Sequence, residues 1–161
     1  MSDYEPPEVD SFVYRYSDEA LSLLRVVAAL LFMLHGTSKL FMFPPFPMGH
    51  PSIFTLLWVA GVLELVGGAL LIVGLFSRPV AFLLSGEMAY AYWTIHAPQS
   101  PFPLVNQGEA AILFCFIFLF IAAAGPGRWS LDVSLRGART LSVDNEADIG
   151  RARGQDFPDV V

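Results

Sequence analysis

The chain has 161 residues, 55% of them hydrophobic, and its mean hydropathy of +0.56 excludes an ordinary soluble domain. This length is enough for one four-helix unit and little else. The net charge of −6 comes mainly from the first 19 residues, where six acidic residues accompany one arginine. Because no basic surface is present, we expect no nucleic-acid partner. The single cysteine, Cys115, excludes an intrachain disulfide.

Four apolar stretches follow one another along the chain and predict transmembrane helices over residues 20–41, 53–76, 79–96 and 107–124. Each is long enough, or nearly so, to cross a bilayer core of about 30 Å at about 1.5 Å per residue. We therefore expect an all-α integral membrane protein, a four-helix transmembrane bundle over residues 20–127. Residues 1–19 would form an acidic N-terminal arm. Residues 128–161 would form a partly disordered tail, with weak amphipathic character over residues 131–143.

The distribution of positive charge predicts that both termini lie in the cytoplasm. With four spans, Arg15, Arg78 and the five arginines of the tail fall on one side of the membrane, and cytoplasmic loops are enriched in Lys and Arg. The loops on the other side, residues 42–52 and 97–106, are rich in proline and aromatic residues. We expect them either to fold together as an outer cap or to form a docking surface. The sequence shows no long-period repeat.

Every predicted span contains at least one ionisable residue, and these residues are the candidate functional site. A charge at the centre of a membrane costs about 2.5–3.5 kcal/mol, so such groups should face one another inside the bundle. The candidates are Arg25, His35, Lys39, Glu64, Glu87 and Glu109. At 100° per residue, Arg25, His35 and Lys39 lie on one face of the first span, together with small residues. Gly61 and Gly68 flank Glu64 and should let a neighbouring helix approach it closely.

Each candidate also has a purely structural interpretation. Arg25 and Lys39 can form buried ion pairs with glutamates that only fix the order of the helices. His35 can be a hydrogen-bonded packing residue. Glu109 lies three residues after Asn106, so the two can form a capping box at the start of the last helix. The histidines lack the spacing of metal ligands, so we expect no metal site. The phenylalanines of the last span can line an apolar slot or face lipid; they are Phe114, Phe116, Phe118 and Phe120.

Several motifs occur along the chain in a recognisable order. They are His35-Gly36-x-x-Lys39-Leu40, Gly61-x-x-Glu64-x-x-Gly67-Gly68, Arg78-x-x-Ala81, Met88-x-x-Ala91, Asn106-x-Gly108-Glu109 and Gly125-Pro126-Gly127-x-x-Ser130-Leu131-Asp132. This ordered set, over about residues 20–132, resembles the DoxX family of small bacterial membrane proteins. The resemblance implies a multi-pass, four-helix protein of the inner (plasma) membrane. It also implies a link to redox metabolism, because the family is named for a subunit associated with a thiosulfate:quinone oxidoreductase.

The residues and the resemblance together favour a redox-associated membrane protein that binds a quinone-like amphiphile among its buried charges. Glu64 and Glu87 would handle protons, and Arg25, His35, Lys39 and Glu109 would help to bind the ligand. The sequence has no motif for haem, flavin, an iron–sulfur cluster or a dinucleotide, so no cofactor is evident, and a bound amphiphile would be a quinone or a lipid. We expect no catalysis by this chain alone, although it could serve as a subunit of a membrane oxidoreductase.

Two other functions are compatible with the same pattern. One is a non-catalytic accessory or assembly subunit, whose partners would be membrane lipid and either other membrane subunits or a second copy of the chain. The other is a small proton-coupled transporter that uses the buried acids for coupling.

Overall fold

The computed structural model describes residues 9–137, and the regular elements in that range are all helices, which confirms the expected all-α class there. A π-helical segment, Tyr92–His96, continues α3, and residues 131–137 are also helical. The numbered helices are α1 (Val9–Phe41), α2 (Leu56–Val73), α3 (Ser77–Ala91), α4 (Pro103–Asn106) and α5 (Glu109–Ala124). The first eight residues of the predicted arm and the predicted tail beyond residue 137 lie outside the described residues.

The helix boundaries differ from the predicted spans by two or three residues at several ends, and by more at the start of α1. Helix α1 has 33 residues and already begins at Val9, inside the segment predicted as an arm. Helix α2 ends at Val73, before the predicted limit, because Gly74 adopts a left-handed conformation with φ of 72°. The backbone NH of Gly74 donates a hydrogen bond to the Leu71 carbonyl, which closes the helix in the usual manner of a C-terminal glycine.

Two helical stretches are long and apolar enough to cross a membrane, Tyr16–Phe41 and Leu56–Val73. Glu109–Ala124 is also an apolar helix but is shorter. Of the four predicted spans, the first two therefore meet the length and hydropathy of a membrane helix within the described residues.

The helices form two antiparallel hairpins, which we call the first hairpin (α1 and α2) and the second hairpin (α3 and α5). Packing is most extensive within each hairpin and sparser between α2 and α3 and between α1 and α5. In the first hairpin, a Cβ atom on Gly36 would lie 2.6 Å from the Leu65 backbone nitrogen. The backbones of α1 and α2 therefore touch, and Gly61 and Gly68 also lie against α1, as the sequence predicted.

Aromatic rings from α1 and α5 join the hairpins in the core. Phe32 and Phe118 are fully buried, with ring centroids 4.8 Å apart in an edge-to-face arrangement. Phe114 contacts Phe32 at 5.3 Å, whereas Phe116 and Phe120 are more than half exposed. The phenylalanines of α5 therefore divide between the core and the outer surface.

One end of the bundle, here called the proximal end, contains residues 74–76 and 125–132. The buried Arg25 guanidinium donates only to backbone carbonyls there, including Pro126 at 2.7 Å and Ile72 at 2.9 Å, with further bonds to Leu71 and Trp129. The expected pairing of Arg25 with a glutamate is therefore wrong. The last carbonyls of α2 carry partial negative charge, and together with the carbonyls of Pro126 and Trp129 they satisfy the cation.

Asp132 holds the start of α3 at the same end. Its carboxylate accepts hydrogen bonds from the backbone NH groups of Phe76 at 2.9 Å and Ser77 at 2.8 Å. Burial raises the pKa of Asp132, but the hydrogen bonds from Ser77 and Phe76 and the charge of Arg136 outweigh that effect. The pKa therefore lies below its ordinary value. Together, Arg25 and Asp132 fasten the 125–132 segment to both hairpins.

The opposite, distal end contains the two proline-rich loops. Several large apolar side chains point outward there, and the exposed fractions are 76% for Phe43, 84% for Phe54, 66% for Phe102 and 76% for Leu104. The loops thus present an apolar surface at this end of the bundle.

Candidate functional site

An apolar cavity of about 790 Å³ lies where α2 and α3 diverge. Its walls include Leu57 and Leu63 of α2 and Phe82 and Leu83 of α3. Phe82 and Leu83 are 68% and 55% exposed, so the cavity opens laterally, through the side of the bundle. A space of this size is within the range of small-molecule sites, which are mostly apolar with a few convergent polar groups.

Lys39 and Glu64 form an ion pair at the wall of this cavity. The Lys39 ammonium bonds to Oε1 of Glu64, and the two side chains are only 13% and 1% exposed. The pair depends on the close approach of α1 and α2, since Lys39 lies directly against Gly61. Oε2 of Glu64 is buried without a hydrogen-bond partner among the described residues. The predicted pairing of Lys39 with a glutamate is confirmed.

Glu87 supplies a second carboxyl group from α3. Both of its carboxyl oxygens are buried and have no hydrogen-bond partner in the described part of the chain. The charges of Glu64 and Lys39 act on it, so the three groups form one electrostatic cluster. Gly86 precedes Glu87 and also lines the cavity; a Cβ atom there would meet nothing within 4 Å. The glycine leaves open space beside the carboxyl group.

The cluster contains two carboxyl groups and one ammonium group. In a medium of low dielectric constant, an unbalanced charge is costly, and the cluster is neutral only when one carboxyl group carries a proton. A neutral Glu87 can donate a hydrogen bond to a ligand oxygen, and an ionised Glu87 can accept one. Because its oxygens lack partners within the chain, a ligand in the cavity would satisfy them.

The structure does not bring all six candidate residues together. Lys39, Glu64 and Glu87 meet at the cavity, whereas Arg25 lies at the proximal end among carbonyl groups. His35 does not line this cavity either. Its ring centroid lies 5.9 Å from that of Phe114, and its Nδ1 lies 3.2 Å from the Leu31 carbonyl oxygen.

Glu109 is exposed at the first position of α5 and does not line the cavity. The predicted capping box is wrong, because Gly108 is the N-cap residue of α5. Asn106 instead ends α4, where its Oδ1 accepts a hydrogen bond from the Gly108 NH at 2.8 Å and its Nδ2 donates to the Ser100 carbonyl. The left-handed conformation of Gln107 breaks the helix between Asn106 and Glu109.

Sequence reasoning missed two residues that shape the site. Gly86 is not among the candidates from the sequence, although a small residue next to a buried acid can leave open space for a ligand. Asp132 was noticed only as part of a motif, and its contacts show that it orients the start of the helix that carries Glu87. Within the described range, no group of three or more His, Cys, Asp or Glu side chains is arranged to hold a metal ion.

Comparison with known proteins identifies the family. The profile of the DoxX family matches residues 20–97. An uncharacterized protein of Haemophilus influenzae is 44% identical over 123 residues, which cover 73% of this chain and 92% of that relative. No solved structure matches the chain. The chain belongs to the DoxX family.

Proposed function

We propose that this protein binds a quinone-like amphiphile in the α2–α3 cavity and serves a membrane redox system. The observation that carries the proposal is the buried carboxyl group of Glu87, which has no hydrogen-bond partner among the described residues and lines an apolar cavity of about 790 Å³. A buried polar group without a hydrogen-bond partner lowers the stability of the fold by about 1–3 kcal/mol. Such a group therefore needs an explanation, and binding of a ligand is one.

The shape of the cavity suits an amphiphile. An isoprenoid or alkyl tail would lie against the leucine and phenylalanine walls and leave through the lateral opening. The head group would reach Glu87 and the Lys39–Glu64 pair, which can donate and accept both hydrogen bonds and protons. Electrons would come from and go to a partner protein.

The proposal includes a membrane topology. In it, α1, α2, α3 with its π-helical continuation, and α5 cross the bacterial inner membrane, and both termini lie in the cytoplasm. The 16 residues of α5 span only about 24 Å at about 1.5 Å per residue, so the bilayer would be thin beside this helix. Trp93 and Trp129 are 71% and 59% exposed near opposite ends of the bundle, where interfacial tryptophans are enriched.

Binding of decylubiquinone to the full-length protein in lipid nanodiscs tests the proposal. Replacing Gly86 by Trp should fill the cavity and weaken binding more than tenfold. Replacing Glu87 by Leu should weaken binding about tenfold, because the head group loses its partner. Glu109→Gln is the matched control, since it removes an acid outside the cavity and should leave affinity unchanged.

The Glu87→Leu variant also separates a ligand-binding role from a structural one. The carboxyl group makes no hydrogen bond within the described chain, so its removal should leave the ligand-free stability unchanged or raise it. Weaker binding together with unchanged stability supports the proposal. Unchanged affinity in both cavity variants would overturn it.

A second candidate function is that of an accessory subunit, which the exposed apolar side chains of the distal loops favour. Native mass spectrometry of the protein extracted from its own membrane separates the two functions. A bound molecule of quinone mass supports the ligand-binding function. A stoichiometric partner protein without such a molecule supports the accessory function.

A further inference from the structure

The distal end of the bundle carries no charged residue, unlike the proximal end. Residues 40–63 and 88–108, which include both proline-rich loops and the helical turns beside them, contain no Asp, Glu, Lys or Arg. The proximal end, in contrast, includes Arg128 and Asp132, and Arg78 is the second residue of α3 there. Five apolar side chains of the distal loops are between 66% and 84% exposed, and we call them the distal surface: Phe43, Phe54, Phe102, Leu104 and Val105. An uncharged apolar patch of this kind marks contact with a membrane or with another protein.

Polar side chains of the distal loops bond to backbone carbonyl groups of the chain itself. These bonds include His50 Nε2 with the Leu40 oxygen at 3.1 Å, His96 Nδ1 with the Asn106 oxygen at 2.9 Å, Gln99 Nε2 with the Ile95 oxygen at 2.8 Å and Asn106 Nδ2 with the Ser100 oxygen at 2.7 Å. Carbonyl groups in water can bond to solvent, whereas carbonyl groups in an apolar surrounding need donors from the chain. The loops thus turn polar groups toward their own backbone and large apolar groups outward, which suits contact with an apolar medium.

The proline content of the distal loops lowers the number of backbone NH groups that need a partner. Residues 42–55 and 97–108 contain seven prolines, which have no NH group. Other NH groups close turns within the loops; they include Gly49 to the Phe46 oxygen at 3.0 Å, Thr55 to the Ser52 oxygen at 3.2 Å and Gly108 to the Pro103 oxygen at 3.1 Å. Unpaired backbone groups are what exclude irregular segments from contact with lipid. A loop with fewer such groups can therefore lie at the edge of the hydrocarbon core.

The lengths of the helices bring the distal loops close to the bilayer. Helices α2 and α5 have 18 and 16 residues, which span about 27 Å and about 24 Å at about 1.5 Å per residue, less than a hydrocarbon core of about 30 Å. Charged residues mark the cytoplasmic boundary at the proximal end, so the missing thickness lies at the distal end. Trp93, in the π-helical segment beside the second loop, is 71% exposed, as is usual for a tryptophan at a membrane interface.

We propose that the distal surface contacts lipid, with its side chains inserted into the outer leaflet at the boundary between head groups and acyl chains. This inference rests on the membrane topology within the proposed function and states where the distal loops lie in it. Interfacial segments bury apolar side chains about 5–10 Å into that boundary. Insertion of the distal surface supplies the missing thickness beside α2 and lessens the thinning of the bilayer that α5 alone would require.

Two features favour lipid over a protein partner at this surface. Protein interfaces have a polar rim around an apolar centre, and the distal end lacks charged residues that could form such a rim. The distal surface also continues the apolar sides of the bundle, where Phe82 and Phe116 are 68% and 64% exposed. One apolar medium can cover both surfaces.

Insertion of the distal loops has a consequence for the α2–α3 cavity. Met48 of the first loop and Ile95 of the π-helical segment line this cavity and are 75% and 51% exposed. With the loops in the leaflet, this edge of the cavity faces acyl chains and not water. A lipid-soluble molecule would then reach the cavity without crossing an aqueous phase.

Spin labels on single cysteines of the full-length protein in lipid nanodiscs test this inference. Phe54→Cys and Leu104→Cys place a label on the distal surface, Phe116→Cys places one on the exposed side of α5, and Asp18→Cys places one on the exposed proximal part of α1. Each variant also carries Cys115→Ser. Power saturation compares collisions of the label with oxygen, which concentrates in lipid, and with a water-soluble nickel chelate. We expect oxygen to collide more often than the chelate at both distal positions and at Phe116, and less often at Asp18.

The two control positions separate this inference from the topology on which it rests. Collisions with the chelate at least as frequent as with oxygen at either distal position, while Phe116 remains in lipid, would overturn the insertion and leave the topology intact. The distal surface would then be a docking surface for a protein. Frequent chelate collisions at Phe116, or frequent oxygen collisions at Asp18, would overturn the topology as well. If circular dichroism shows that a distal variant does not fold, Phe43→Cys or Val105→Cys gives the same measurement at another position of the distal surface.

Discussion

At the scale of single residues, the Lys39–Glu64 pair places two opposite charges at the wall of the cavity. Both side chains are nearly buried, and one ammonium group must compensate for the charge of Glu64 beside a second acid. A buried ion pair adds little stability over an apolar pair of similar shape, but removal of one partner leaves an uncompensated charge.

Replacing Lys39 by Met should therefore lower the free energy of unfolding by about 3 kcal/mol, as measured by denaturant titration in detergent micelles. The double variant Lys39→Met with Glu64→Gln should recover more than half of that loss, because it removes both charges. Equal losses in the single and double variants would show that packing of the lysine stem, and not charge, stabilises the pair.

At the scale of the helices, the position of the site depends on how closely α1 and α2 approach. A Cβ atom on Gly36 would lie 2.8 Å from the Gly61 carbonyl oxygen as well as 2.6 Å from the Leu65 nitrogen. Both neighbours are backbone atoms, which cannot rotate away. Gly86 on α3 is the opposite case, a helical glycine with open space around it.

Gly36→Ala should force α1 and α2 apart and lower the free energy of unfolding by about 1–3 kcal/mol. Gly86→Ala is the matched control, and it should be neutral or stabilising by up to about 1 kcal/mol because alanine favours the helical backbone. Thermal unfolding of the two variants in the same detergent measures the difference. A Gly36→Ala protein as stable as the control would contradict direct backbone contact between these helices.

At the scale of the whole molecule, the 125–132 segment joins the two hairpins at the proximal end. Arg25 binds the segment to the end of α2, and Asp132 binds it to the start of α3. The pKa of Asp132 is below its ordinary value, so its ionised form is stabilised by folding. Its contribution is present above the pKa of an unfolded aspartate, about 3.9, and is lost as the pH falls through the lower folded value.

Asp132→Asn should therefore be less stable than the wild-type protein at neutral pH, and the difference should shrink as the pH is lowered below about 4. Unfolding temperatures measured across this pH range test the expectation. Asp18→Asn, which removes an acid of α1 that makes no contact with the start of α3, is the control. A difference between Asp132→Asn and the wild-type protein that is independent of pH would show that the charge of Asp132 has no part in the effect.

The sequence alone determined the helical class, the approximate helices and the meeting of Lys39 with a glutamate. Apolar stretches of this length form helices in any arrangement, and a charge buried among them needs either an opposite charge, as Lys39 has, or backbone carbonyl groups, as Arg25 has. Only the tertiary structure decided that Glu87 joins that pair while Arg25 and Glu109 do not. Helix periodicity assigns a residue to a face, but the neighbour of that face depends on how the hairpins pack. The cavity beside Glu87 also arises from that packing, because residues far apart in the chain form its walls.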